Sequence, residues 1–521
     1  MTVCLPFEIW WKILEYLPSD TYVIRLRTVN RVFLEIARML LYRKLRINRY
    51  EENRTTNFLQ GINSLSLGHY VHSLHLQPWT VASTSHHRRP VRRFLSAFDH
   101  VYSFFDSHYA MRRVEKRVHK QLQLVTDTVA KLEFVRECTI DGEIERPYYA
   151  QLFTAFLNLL SISSFSQTIT ILTLKVPTDQ LICLGPAHLP ALEELDIYFA
   201  TSTLSEKYID GCLEHVIGFL NKHLQTLCSL SISSSDRSCN LNLSKFFHLL
   251  SVAYFPRLCS FSLNIPYDGS HLPNATEGAK KLQSFIFKHS RNLHHLKLST
   301  SIRSHFIQSR SYNLLWIQRT LTSPHLANAF NLLKSLELSF RCMESNVGPL
   351  LKFISSVAHQ LESLSLISGF LTPEDLGMVV DILAPAPASP SAASTSSLLH
   401  LNVGLLCLSP STFDLLASRL PSLKSLAIAF YDIKSSPRPQ EDWRRFPGEN
   451  LRYDSMMFRN ELSYRTYPQW NLSSLTLYAP SELAWGLGGL RKIITECFPL
   501  VVDFNFSFGR CLDHFDFATR L

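Results

Sequence analysis

Apolar residues follow two spacings along this chain. In the opening run Leu5-Pro6-Phe7-Glu8-Ile9-Trp10-Trp11-Lys12-Ile13-Leu14-Glu15-Tyr16-Leu17-Pro18, the residues Ile9, Ile13, Leu14 and Leu17 share one face at helical spacing. Pro6 suits a first helical turn, where its missing N–H costs nothing, and Pro18 stops the helix. Ser19 and Asp20 can cap a next helix. A second helical stripe runs through Leu26, Val29, Phe33, Ile36 and Ala37, and Leu40, Leu41 and Leu45 extend it.

Beyond about residue 60 the spacing changes to apolar-x-x-apolar-x-apolar. It recurs at Val71/Leu74/Leu76, Val129/Leu132/Phe134, Ile169/Leu172/Leu174, Leu192/Leu195/Ile197, Leu227/Leu230/Ile232, Leu258/Phe261/Leu263 and Leu293/Leu296/Leu298. It continues at Leu333/Leu336/Leu338, Leu361/Leu364/Leu366, Leu398/Leu401/Val403, Leu423/Leu426/Ile428, Leu472/Leu475/Leu477 and Val501/Phe504/Phe506. The alternating tail of each unit predicts a short strand with one face in and one face out. Many intervals hold an amphipathic helix, such as the stripe Ile209, Leu213, Val216, Ile217, Leu220, Leu224. Thr372-Pro373-Glu374 and Ser409-Pro410 read as capped, proline-led helix starts just after strands. No single strand–helix unit can bury its own leucines, whereas stacked neighbours can. The expected fold is an α/β solenoid with short parallel strands inside and helices outside.

The repeats are irregular. The leucine-rich-repeat consensus places Asn or Cys three residues beyond the last apolar strand position, and here those sites hold Trp79, Pro177, Ala200, Ser235, Pro266, Ser301, Arg341 and Gly369. No asparagine ladder is predicted. Three segments interrupt the array. Residues 86–120 predict a basic helical insertion, with Phe94, Phe98, Tyr102, Phe105 and Tyr109 on one face. Residues 384–397, rich in Ala, Pro and Ser, and 435–450, with Pro437, Pro439 and Pro447, predict mobile loops.

The N-terminal stretch resembles the F-box. The matching residues are Leu5, Pro6, Glu8, Ile13, Leu14, Leu17, Pro18, Leu26, Val29, Asn30, Arg31, Phe33, Ala37, Leu41, Tyr42 and Leu45, in the family's order and spacing. The divergent repeats behind it look like those of fungal F-box proteins. The resemblance implies a three-helix F-box at 1–48, followed by an irregular leucine-rich-repeat-like array at 60–521. It implies a substrate-recognition subunit of an SCF-type cullin–RING ubiquitin ligase, partnered by a Skp-family adaptor. Adaptor binding would fall to Leu5, Pro6, Ile9, Ile13, Leu14, Leu17, Pro18, Leu26, Val29 and Phe33. The physics agrees. Some 45 residues are too few to bury all these side chains alone, and an apolar patch left exposed marks a partner site. Two alternatives stand: a non-catalytic repeat scaffold whose first helices only cap the array, or an F-box protein acting outside a ligase. The cap differs from the receptor at Leu5, Pro6 and Ile9, which it would bury and which a receptor exposes.

Charge and candidate chemistry narrow the picture further. The net charge is +9, but Arg88 to Lys120 alone carries nine Lys/Arg against Asp99, Asp106 and Glu115, so the excess is a local patch. Three readings of it stand: a solvated helix face, a nuclear import signal at 86–93, or a clamp for an acidic or phosphorylated segment using Arg112 and Arg113 with Lys116, Arg117 and Lys120. It matches no recognisable nucleic-acid-binding motif, so nucleic acid is not expected as a partner. No secretory signal is read in Met1 to Glu8, and the apolar run 152–165 is too short and polar to span a bilayer. The 11 cysteines include no C-x-x-C pair, which points to reduced thiols in cytoplasm or nucleus, with no metal and no cofactor expected. There is no P-loop, G-x-G-x-x-G, G-x-S-x-G or H-E-x-x-H. Cys497 and Cys511 lack an identifiable activating base. His86-His87 and His294-His295 are adjacent pairs that a strand would point to opposite faces. The chain is therefore expected to be non-catalytic and to supply proximity. Target selection is expected on the outward strand positions: an acidic spot at Glu193, Glu194 and Asp196, and a polar-to-basic one at His294, His295 and Lys297.

Overall fold

The computed structural model describes residues 6–16, 25–50, 52–79, 109–142, 147–201, 206–234, 238, 241–266, 271–272, 277–301, 315–321, 329–339, 348–384, 397–434, 451–480 and 489–509. The chain divides into two compact units, Met1–Ser229 and Leu230–Leu521.

The first unit opens with helix α1 (Phe7–Glu15), a 3-10 turn (Leu26–Thr28) and helix α2 (Arg31–Tyr42). Strands and helices then alternate: β1 (Lys44–Ile47), α3 (Glu52–Ser64), β2 (Ser73–Leu76), α4 (Tyr109–Val129), β3 (Glu137–Asp141), α5 (Pro147–Ile162), β4 (Ile171–Pro177), β5 (Glu194–Ala200) and α6 (Glu206–Lys222). Between β4 and β5 a 3-10 turn (Thr178–Leu184) replaces the helix. Strands β1 to β5 pair parallel in chain order. Their inward residues form two rows, Leu45–Leu74–Cys138–Leu172–Leu195 and Ile47–Leu76–Ile140–Leu174–Ile197. All are buried.

The second unit repeats the scheme. Its strands are β6 (Ser229–Ser234, whose first residue belongs to the first unit), β7 (Ser260–Pro266), β8 (His295–Ser301), β9 (Ser335–Ser339), β10 (Ser363–Leu371), β11 (His400–Leu408), β12 (Ser425–Ile433), β13 (Ser474–Pro480) and β14 (Asp503–Gly509). Its helices are α7 (Ser244–Val252), α8 (Glu277–His289), α9 (Leu315–Leu321), α10 (Gly348–Val357), α11 (Pro373–Leu383), α12 (Pro410–Arg419), α13 (Leu451–Ser463) and α14 (Leu490–Cys497). From β7 to β14 one inward row reads Phe261–Leu296–Leu336–Leu364–Leu401–Leu426–Leu475–Phe504. The expected parallel α/β repeat stack is thus the architecture of each unit. Pairing in register lets each strand's leucines complete the cover of its neighbour's.

Backbone rather than asparagine joins the repeats. The carbonyl just before a strand accepts two N–H groups from the next repeat, as Arg43 does from His72 (2.9 Å) and Ser73 (3.0 Å), and Thr170 from Glu193 and Glu194 (both 2.9 Å). Side chains add rungs one repeat back. Asn292 donates to the Pro256 carbonyl at 2.9 Å, Thr168 to Val135 at 2.9 Å and Ser397 to Leu361 at 2.8 Å.

Two sequence expectations are corrected. Leu45 does not extend the second helix. That helix stops at Tyr42, and Leu45 and Ile47 alternate inward in β1, because pairing with β2 buries both. The unit Val129/Leu132/Phe134 is not a strand. Val129 ends α4, Phe134 is half exposed, and the strand that forms, β3, buries Cys138 and Ile140, with Val135 buried just before it. Helix Glu206–Lys222 forms as predicted, but Leu224 lies beyond its end, half-buried. Of the predicted basic insertion, 86–108 lies outside the described residues, while 109–120 makes the first half of α4. Loop 435–450 also lies outside them, as do 385–396. The ends of that loop are tied down: Ala384 is a buried helix end, and the Ser397 rung holds the other side.

Candidate functional site

The N-terminal helices divide their apolar residues between a small core and an exposed face. Asn30 caps α2, accepting the Phe33 N–H at 2.9 Å, and so starts the helix at Arg31. Phe33, Ile36 and Ala37 are buried on α2. Leu14 from α1 joins Phe33 and Ile36, with Trp10, Trp11, Leu26, Val32 and Leu40 packed around them. The Trp10 ring meets Phe33 edge-on, centroids 5.1 Å apart. Tyr70, after α3, donates its hydroxyl to Glu35 of α2. Burial and the Glu35 carboxylate push that phenol up to about 12, so it remains a donor and fastens α2 to the array.

The opposite face of α1 is uncovered. Ile9 and Ile13 are 44% and 45% exposed, and Tyr16 is 89% exposed. Their i, i+4, i+7 spacing puts them on one stripe. Pro6 is exposed at the helix start, where its carbonyl accepts the Ile9 N–H at 3.2 Å and Trp10 N–H at 3.3 Å. Val29 is 62% exposed. Of the ten residues expected to bind an adaptor, Pro6, Ile9, Ile13 and Val29 are surface, Leu26 is half-buried, and Leu14 and Phe33 are core. Leu5, Leu17 and Pro18 lie outside the described residues.

The residues expected to read a target are spread over separate elements. Glu194 and Asp196 stand on the open sheet face at β5, with Glu193 exposed just before it. Arg112 and Arg113 belong to α4, which packs on α3 and α5. In the second unit, Lys297 is paired with Glu337 of the next strand at 2.8 Å, so that spot is less basic than its letters suggest. Burial lowers the affinity of His295 for a proton, and the neighbouring His294 does so further. The two rings have centroids 6.5 Å apart. Lys334 and Glu362 form another cross-strand pair at 2.8 Å.

Lys44 and Arg46 were not singled out from sequence. Both are exposed on the open face of β1, opposite Ser73 and His75 of β2. The signal existed: Tyr42, Leu45 and Ile47 repeat the strand spacing, but the helical spacing of Leu40, Leu41 and Leu45 overlies it. A cleft of about 700 Å³ lies between α4 and α5, lined by Glu115, Lys116, His119, Leu122, Gln151 and Thr154 among others.

Candidate catalytic thiols gain no support. Cys497 is buried, its thiol donates to the Leu462 carbonyl at 3.1 Å, and burial pushes it up to about 11. Such a thiol is not a nucleophile near neutral pH. Cys511 lies outside the described residues. Among the described residues no group of three or more His, Cys, Asp or Glu is placed to hold a metal ion, and no helix is long and apolar enough to cross a membrane. Compared with known proteins, the chain matches no family model and no curated protein.

Proposed function

We propose that this chain is the substrate-recognition subunit of an SCF-type cullin–RING ubiquitin ligase: an F-box at its N-terminus binds a Skp-family adaptor, and the repeat array binds the target. The observation that carries the reading is the uncovered stripe on α1. A helix that only capped the array would turn Pro6 and Ile9 inward. Both are exposed instead, with Ile13 and Tyr16 on the same stripe. Burying one large aliphatic side chain in a partner groove is favourable by about 1.5–3 kcal/mol, and anchors one turn apart on a helix suit helix-in-groove docking. The helix α2 serves a second end, since its buried face and its bond to Tyr70 close the start of the repeats. Binding and capping are then divided between two helices.

In this reading the chain contributes no transfer chemistry; it raises the local concentration of a target lysine beside a conjugating enzyme. The test is co-expression with the adaptor followed by pulldown, comparing wild type with Ile9→Ala/Ile13→Ala. Wild type is expected to retain the adaptor. The double variant should keep its melting temperature, because neither side chain is in the core, and lose about 2–4 kcal/mol of binding, as anchors in a groove do. Folded wild type that retains no adaptor would refute the proposal.

A further inference from the structure

We propose that the open sheet face of the first unit docks an extended, mixed-charge peptide of a protein target, its acidic end over β1 and its basic end over β5. This rests on the reading that the array selects targets, and adds the chemistry of the target.

Strand register gives the charge map. On β1, Lys44 and Arg46 project to the open face two residues apart. Their lateral neighbours on β2 are Ser73 and His75, neither of them an acid. At the other side, Glu194 and Asp196 stand two apart on β5, beside Ile171 and Thr173 of β4. Glu193 precedes them, exposed. Between these poles lie Glu137, Thr139, Asp141 and Lys175. Among the described residues, Lys44, Arg46, Glu194 and Asp196 make no ion pair within 4 Å.

The second unit arranges comparable charges differently. There Lys297 and Glu337 neutralise each other across adjacent strands, as do Lys334 and Glu362. In the first unit like charges sit side by side on β1 and again on β5; the acids Glu137 and Asp141 lie two strands from β1, and Lys175 lies on the strand beside β5. Among the described residues none of these reaches ion-pair distance of Lys44, Arg46, Glu194 or Asp196, so those four charges stay available to a partner whose own charges are separated to match. Complementarity of this kind sets register and orientation more than raw affinity. Strands spaced about 4.8 Å apart put β1 and β5 about 19 Å apart, the span of about six extended residues. The Ser and Thr side chains between the poles can bond a peptide backbone lying across them.

A competing account makes Lys44 and Arg46 guards on an edge strand, where charge discourages pairing with other chains. The experiment separates the two. Fluorescein-labelled Asp-Asp-Gly-Ser-Gly-Ser-Arg-Arg and its reverse-order peptide are titrated against the full chain by anisotropy at low salt. A version with serine at all charged positions and a charge-interleaved scramble serve as references. One charge-segregated peptide is expected to bind at least about tenfold tighter than both references, with the advantage fading as salt rises. K44E/R46E should abolish that advantage and shift preference to a peptide with arginines at both ends. E194K/D196K should shift it to one with aspartates at both ends. The neutral variant K44S/R46S tests the same point should the charge reversal disturb folding.

Equal binding of segregated and neutral peptides overturns the inference. So does a K44E/R46E chain that self-associates more in light scattering yet binds peptide unchanged, which would leave only the edge guard. Adaptor capture measured on the same preparation keeps the two readings apart. Adaptor retained without peptide discrimination sinks this inference alone, and peptide discrimination without adaptor sinks the F-box reading alone.

Discussion

Buried histidines hold much of the residue-scale chemistry. His223 is almost wholly buried beside Phe219, whose ring centroid is 4.6 Å away. Neither of its ring nitrogens makes a hydrogen bond of normal geometry. Burial first, then His188 and Lys222, push it down to about 4 from an ordinary 6.5. His289 has a defined tautomer: Nε2 accepts the Phe255 N–H at 3.0 Å while Nδ1 donates to the Phe285 carbonyl at 2.8 Å. A proton on Nε2 would face that N–H, and its affinity for one is lowered by burial. These shifts set the sign of the pH effect. The unfolded imidazole takes up a proton near pH 6.5 and folded His223 only near 4, so its contribution is intact above 6.5 and drains away as pH falls toward 4. The expected loss from His223 is about 3 kcal/mol. Urea unfolding at pH 7.5, 5.5 and 4.5 measures it. His223→Phe should flatten the slope by about that amount, and an unchanged slope would mean that the imidazole is protonated in the folded chain.

At the scale of elements, competition between helix and strand spacing is decided by pairing. Residues 129–140 contain two consecutive frames with the same apolar pattern, and only one of them places its residues in the inward rows beside Leu74 and Leu76. Ile140→Ala is therefore expected to cost about 2–5 kcal/mol, as a filled core position does. Phe134→Ser, at a half-exposed site, should stay within about 1 kcal/mol. Chemical denaturation of the two variants checks the frame, and a reversed order would place the strand where Val129/Leu132/Phe134 puts it. Helix starts are more local. Thr372 and Asp375 exchange bonds at the head of α11, Asp375 N–H to the Thr372 hydroxyl at 3.1 Å and Thr372 N–H to the Asp375 carboxylate at 3.3 Å. Thr372→Ala should cost about 1 kcal/mol and raise hydrogen exchange first in the opening turn of α11.

At the scale of the whole molecule, each unit buries its own leucine rows, and stability accumulates through contacts between neighbouring repeats. Phe504 and Phe506 of β14 are only half-buried, whereas their counterparts on β7 to β13 are nearly inaccessible. The α1 stripe is another apolar surface left to water. A partner that binds the folded chain alone stabilises it by mass action, by about 2.7 kcal/mol at a hundredfold excess over Kd. The purified chain should therefore melt higher with saturating Skp-family adaptor, and Ile9→Ala/Ile13→Ala should remove that rise while leaving the adaptor-free melting point in place. An adaptor-independent melting temperature for wild type would speak against binding at α1.

The sequence by itself determined the repeat architecture, most strand positions, the helix starts at Thr372 and Ser409, and the amphipathic character of α1. These arise from local spacing and local hydrogen bonds, which do not depend on distant partners. Tertiary structure alone decided the rest. It chose β1 over a longer helix and Val135/Cys138/Ile140 over the neighbouring frame, because burial against a paired strand outweighs spacing that two frames share. It neutralised Lys297 with Glu337 while leaving Lys44 and Arg46 without an ion-pair partner among the described residues. Which charges meet is set by register across strands some 40 residues apart in the chain, and no spacing along one strand encodes it.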